Sequence, residues 1–296
     1  MGYHYKPKSV ESIVIRDFSF AFPDTLNPKW IPGKTVRSHF FNGMSLTMPY
    51  LEPFLVKTGK EAARHIECEE LREDIRGFCG QESQHYKCHR RLNELIKANG
   101  YPELAAVEER FDKSWKQLMN RDLEQRLAYS AGFESMTNGF TRWMLKKRLT
   151  LFKNADPHIT SFWLMHMIEE TEHKTVAIDA YRAYSGRYWP RFKGVFHGSF
   201  HVVGLGLVAM MAALRKDGKL KQPRTWFEII RELSGMVYNV GPFMLRALLP
   251  GHDPRGETDP AYMKEWLRGY AQLPAEAPIP LIDTRHPAMP VPFEKI

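Results

Sequence analysis

Two short motifs constrain this chain more than anything else in it. In GQESQHYKCHRRLN, Glu82 and His85 stand three residues apart, and in WLMHMIEETEHKTVAIDAY, Glu170 and His173 repeat that spacing. Both motifs lie in long stretches without an interior proline. On an α-helix, positions i and i+3 share a face, so each pair aims a carboxylate oxygen and an imidazole nitrogen at a common point. One E-x-x-H arises readily by chance. Two copies on separate helices, about 88 positions apart, describe half of a bundle built around a pair of metal ions. Such a bundle needs one further glutamate from each of its two other helices.

Glutamates in apolar settings meet that need. Glu134, in AYSAGFESMTNGFTRWML, is the only acid between Glu124 and Asp156, and Glu52 stands alone in SLTMPYLEPFLV. A lone charge on such a face is costly unless something pairs with it. Glu52, Glu82, Glu134 and Glu170 together would offset the charge of two ferrous ions. His166 lies four residues before Glu170 and seven before His173, among Trp163, Leu164, Met165 and Met167. It is either a seventh ligand or a core histidine bonded to a backbone carbonyl. His89, four after His85, is open between a ligand and a residue that supports one. Glu169 and Glu172 are expected to face away from the ligand stripe. Thr137, one turn beyond Glu134, reads as a packing residue or as one that faces a pocket for O₂.

The rest of the chain is organised around these helices. Residues 1–43 form an irregular arm broken by Pro23, Pro28, Pro32 and Gly33, with SIVIRDFSFAF as a candidate short strand. Residues 44–186 are expected to be the metal-binding bundle. Within it, 70–98 is one helix, and 103–151 is two helices or one broken near Asn120. A further single helix, 157–185, starts at Asp156-Pro157 and stops at Gly186. Two apolar helices follow over 187–248, then a short helix and a proline-rich extended tail over 249–296. The expected architecture is all-α, a ferritin-like four-helix bundle with additional C-terminal helices in a single domain.

Charge and cysteine usage narrow the setting. The net charge is +8, and between Arg187 and Arg224 eight basic residues face Asp217 alone. These cations bracket the apolar run 195–214 instead of lining a groove, which excludes a nucleic-acid partner and suits peripheral contact with an anionic membrane. That run is 20 residues long, enough to span a bilayer, but three glycines and two histidines dilute it. It is expected to pack on the bundle or lie at a membrane surface. The odd count of three cysteines and the lack of an apolar stretch in MGYHYKPKSV point to a reducing, cytoplasmic setting, with membrane association left open.

The arm, SLTMPYLE, GQESQHYKCH, the WLMH-x-x-EE-x-EHK run and LLPGHDP together resemble a bacterial family of predicted metal-dependent hydrolases with a ferritin-like helical core. The resemblance covers most of residues 10–270 and departs at Leu51, where a glycine is expected ahead of the glutamate. The ligand spacing alone is also similar to that of non-haem di-iron arylamine N-oxygenases, which implies Glu52, Glu82, His85, Glu134, His166, Glu170 and His173 as ligands. On these grounds the expected chemistry is O₂ activation at two iron ions (Fe2+/Fe3+) to oxidise a hydrophobic or amine-containing small molecule. The chain has no dinucleotide-binding glycine fingerprint, so an electron-donor protein would be a partner. The alternative is a hydrolase using zinc, manganese or iron, and the second alternative an iron-storage protein. Homodimerisation is left open.

Overall fold

The structure, a computed structural model, describes residues 3–6, 13–274 and 277–293. Among these residues every regular element is helical: α1 (Thr35–Ala63), α2 (Glu69–Ala98), α3 (Leu104–Met119), α4 (Leu123–Phe152), α5 (Pro157–Glu172), α6 (Val176–Tyr184), α7 (Tyr188–Lys216), α8 (Pro223–Ala247) and α9 (Ala261–Tyr270). The expected all-α bundle with additional C-terminal helices is therefore what the chain forms. Helix starts follow local chemistry. Asp156 accepts from the backbone N–H groups of His158 (2.9 Å) and Ile159 (3.1 Å), with Pro157 in the first turn of α5. Asp122 caps α4 in the same way through Gln125 N, which resolves 103–151 into two helices.

Three expectations change. The helix predicted over 157–185 is interrupted: α5 ends at Glu172 and α6 begins at Val176, so His173 sits on the break. Helix α1 starts at Thr35, inside the stretch read as arm. The candidate strand forms no sheet; residues 13–22 run extended across the helices, burying Arg16, Phe18, Phe20 and Phe22 and exposing the residues between them. The alternation is real, but helices take the place of a partner strand. Each buried phenylalanine contributes about 1.5–3 kcal/mol.

Helices α1, α2, α4 and the α5–α6 pair enclose the centre, and α7 lies along α4 and α1. Glycines make that last packing possible. Gly132 on α4 and Gly194 on α7 bring their backbones so close that a Cβ on either would collide with the carbonyl opposite, and a Cβ on Gly43 of α1 would likewise collide with the carbonyl of Gly206 on α7. The glycines of α7 that dilute its hydropathy are thus partly packing devices. By length and composition alone α7 could cross a membrane, although part of it is buried in the bundle. The described part of the tail docks onto the helices: Ile282 N donates to Ser161 Oγ (2.8 Å) and Thr284 Oγ1 to Ala155 O (2.6 Å).

Candidate metal centre

Four helices deliver the motif residues to one buried point. Helix α1 brings Glu52; α2 brings Glu82, His85 and His89; α4 brings Glu134; α5 brings His166 and Glu170 and ends on His173. All eight are at most 4% exposed. One ligand atom each from Glu82, His85, Glu170 and His173 lie within 4.8 Å of one another, as do atoms of Glu52, His85 and His166. The groups cross the motifs: His173 Nε2 stands 3.4 Å from Glu82 Oε1, and His85 Nδ1 is 3.8 Å from Glu170 Oε1. His166 Nε2 lies 3.8 Å from Glu52 Oε1. Glu134 sits alongside, its Oε2 4.0 Å from His173 Nδ1, but falls outside both groups.

Most of these atoms are orphaned. Both oxygens of Glu52 and of Glu82, Glu134 Oε1, Glu170 Oε2, His85 Nδ1 and both ring nitrogens of His173 find no hydrogen-bond partner among the described residues. A buried polar atom left unpaired costs about 1–3 kcal/mol, and more when charged. Carboxylate oxygens and imidazole nitrogens without partners are the donor set of a divalent metal site, so these residues fit the metal that the motifs imply. Protein surroundings alone favour the neutral forms. Burial, then repulsion from the neighbouring carboxylates, pushes Glu52, Glu82 and Glu134 well above the usual range. Burial and then Glu169 push Glu170 up to about 8. Burial also drives His85, His89 and His173 well down, and His166 to about 3. A bound cation reverses this balance.

A hydrogen-bond chain starting at a helix defect fixes the tautomer of His166. Pro49, inside α1, has no N–H for the carbonyl of Ser45. Asn93 Nδ2 donates to that carbonyl instead (2.9 Å), which turns its Oδ1 toward Ser45 Oγ, the donor at 2.7 Å. With its only proton used, Ser45 Oγ must accept from His89 Nδ1 (2.8 Å). His89 Nε2 then carries a lone pair and accepts from His166 Nδ1 (3.0 Å). The lone pair of His166 is left on Nε2, beside Glu170 Oε1 (2.7 Å) and Glu52. His89 therefore supports His166 and lies outside both ligand groups.

The second histidine is held from the opposite side. His85 Nε2 donates to Glu169 Oε2 (2.7 Å), leaving the Nδ1 lone pair facing the centre. Glu169 Oε1 accepts from Arg16 (3.1 Å), whose guanidinium also binds Glu172, and Glu172 accepts from Gln81 Nε2 (2.7 Å). Glu169 and Glu172 lie outside both ligand groups but are buried all the same: the extended segment 13–22 covers that side of α5 and supplies Arg16 as their counter-charge. Phe18 from the same segment packs edge-on to His85, with ring centroids 4.7 Å apart. Sequence reading missed Glu169, Glu172, Arg16 and Gln81. The available signal was the run EE-x-E in an otherwise apolar helix, since buried acids need partners.

Beside the carboxylates lies an apolar cavity of about 30 Å³, lined by Met44, Met48, Phe133, Met136, Thr137 and Phe140, with Glu52, Glu82, His166 and Glu170 on its other side. It has room for a water molecule. Thr137 thus lines this cavity, its hydroxyl donating to Phe133 O (3.2 Å).

Residues 14–258 match the family model of a predicted metal-dependent hydrolase. The chain belongs to that family. No curated protein and no solved structure matches it. Membership of a hydrolase family overturns the oxygenase expectation: the ligand spacing on which it rested is a property of the metal site, and nothing in the geometry or the comparisons adds support for O₂ chemistry. The O₂ and electron-donor partners lose their ground with it. What stands is a metal-dependent family whose buried Glu and His clusters are able to hold a metal.

Proposed function

We propose that this protein hydrolyses a small organic substrate at a centre of two divalent cations held by Glu52, Glu82, His85, His166, Glu170 and His173. One observation carries the reading: buried carboxylate oxygens and imidazole nitrogens from α1, α2 and α5 with its following His173 converge, most of them without a hydrogen-bond partner among the described residues. Mixed imidazole and carboxylate donors suit zinc, manganese or iron. Bound cations would supply Lewis acidity, acidifying a water molecule and polarising the oxygen of the bond to be cleaved.

The remaining work falls to the chain's own side chains. His85 and His166 are each held in one tautomer by Glu169 and by His89, so their lone pairs are oriented before any cation arrives. Phe133, Met136 and Phe140 wall the cavity and exclude bulk water. Glu134, outside both ligand groups and with Oε1 unpartnered, is the group we assign to hold the proton that hydrolysis releases.

Titrating metal-free protein with Zn2+ and with Mn2+, then assaying each form on p-nitrophenyl esters and phosphates, tests the reading. Uptake of two cations per chain and turnover of one of these classes are expected. Loading without hydrolysis of either class sinks the proposal. Glu82→Ala and His173→Ala should lose metal. Glu134→Gln should retain it while kcat falls by about 10²–10⁴-fold.

A further inference from the structure

A second apolar cavity, a groove of about 360 Å³, runs between α7 and α8, within the size range of small-molecule sites. Val203 on α7 and Val240 and Met244 on α8 form its walls, and Met136 and Phe140 of α4 close its inner side. The same Met136 and Phe140 line the small cavity beside Glu52, Glu82, His166 and Glu170. Two side chains therefore belong to both the groove and the candidate metal centre. Toward solvent the groove opens between Phe200, Val237 and Leu245, which are 64%, 61% and 68% exposed. Ser199 is the only polar side chain among its described lining residues.

We propose that this groove holds one long alkyl chain of the substrate, whose hydrolysable group reaches the metal centre past Met136 and Phe140. The identity of that group rests on the hydrolytic reading above; the groove does not. A lining without charge and almost without hydrogen-bonding groups would leave a peptide or sugar with unpaired polar atoms, whereas a hydrocarbon loses nothing there. Three methionines, Met136, Met236 and Met244, give the walls the adaptability that a flexible chain requires. Met136 and Phe140, shared by the two cavities, place the inner end of the groove one layer of side chains from the carboxylates, and this adjacency selects a substrate over a docked protein segment. For an acyl ester, the oxygen of water bonds to the acyl carbon and the acyl C–O bond breaks. The alcohol leaves with one proton of the water, and the acid retains the other.

Binding of cis-parinaric acid, a fluorescent long-chain fatty acid, to metal-free protein reads the groove without reference to hydrolysis. Val203→Trp and Met244→Trp, which fill it from opposite walls, should each weaken binding at least tenfold. Val208→Trp, on α7 but outside the groove, should leave it unchanged. No binding, or equal binding by all four proteins, overturns the proposal. So does sedimentation showing a dimer that Val203→Trp converts to monomer, since the occupant would then be a second copy of the chain. With Zn2+- or Mn2+-loaded protein, kcat/KM for p-nitrophenyl esters should rise with acyl length, and Val203→Trp should abolish the rise while sparing the acetate. Ester turnover indifferent to both chain length and Val203→Trp removes the groove proposal and leaves hydrolysis standing. Groove-dependent parinaric acid binding without turnover of any ester removes the hydrolytic reading and leaves the groove.

Discussion

Ser45 touches no ligand atom, yet the tautomer of His166 depends on it. Replacing it by alanine removes the acceptor of His89 Nδ1, so that His89 no longer has to present a lone pair to His166. Metal affinity should fall about 10–100-fold, the usual consequence of losing a group that orients a ligand. Calorimetric Zn2+ titration of Ser45→Ala checks this, and unchanged affinity would show that His166 is oriented by something else. Arg16 offers a different test. It is the cation that faces the buried carboxylates of Glu169 and Glu172, and Arg16→Met should lower stability by about 3–5 kcal/mol in denaturant unfolding. At this scale the sequence was legible where the chemistry is local. The i, i+3 spacing pointed to Glu82, His85, Glu170 and His173, which the fold gathers into one group, and its apolar setting pointed to Glu52, whereas Glu134, singled out in the same way, lies alongside and outside both groups. Glu169 was not legible, because its partner Arg16 arrives from a segment 153 residues away.

Helix boundaries were readable wherever an end has a chemical cause. Asp156-Pro157 and Gly100 mark real ends, whereas the break between α5 and α6 falls in EHKTV, which contains neither glycine nor proline. The break is a tertiary feature placed where His173 meets Glu82 and Glu134. The candidate strand failed for a related reason. Alternation reports which side chains turn inward, and it does not report whether the surface they meet is a sheet or a row of helices. The glycines of α7 carry an element-scale prediction. Gly194→Val would drive its side chain into the backbone of Ala128, which has no flexible end to move aside. Overpacking of this kind costs about 1–3 kcal/mol. A lower Tm in Gly194→Val, with little change in Gly204→Val where a Cβ meets nothing within 4 Å, is the expected pair of results.

At the scale of the whole molecule, neutral histidines held out of water tie stability to pH, and the half-buried His201 lies away from the metal centre in a position that isolates its effect. His201 of α7 bridges two other helices, with Nε2 2.8 Å from Ser114 Oγ on α3 and Nδ1 2.8 Å from Tyr129 OH on α4. Burial, and then the neighbouring His197, lower its pKa from 6.5 to about 4. Between those two values the unfolded chain takes up a proton at this residue that the folded protein refuses. The unfolded state therefore binds more protons there, and stability falls as pH drops from about 6.5 to 4. Other histidines and the carboxylate cluster titrate too, so the useful quantity is the difference between the wild type and His201→Gln, in which their shared contributions cancel. The wild type should lose Tm relative to the variant as pH is lowered through this window, and the difference should level off above pH 7. A difference that stays constant from pH 7 to pH 4 would mean that His201 takes up its proton equally in the folded and the unfolded chain, and that its contacts with Ser114 and Tyr129 do not disfavour the charged form.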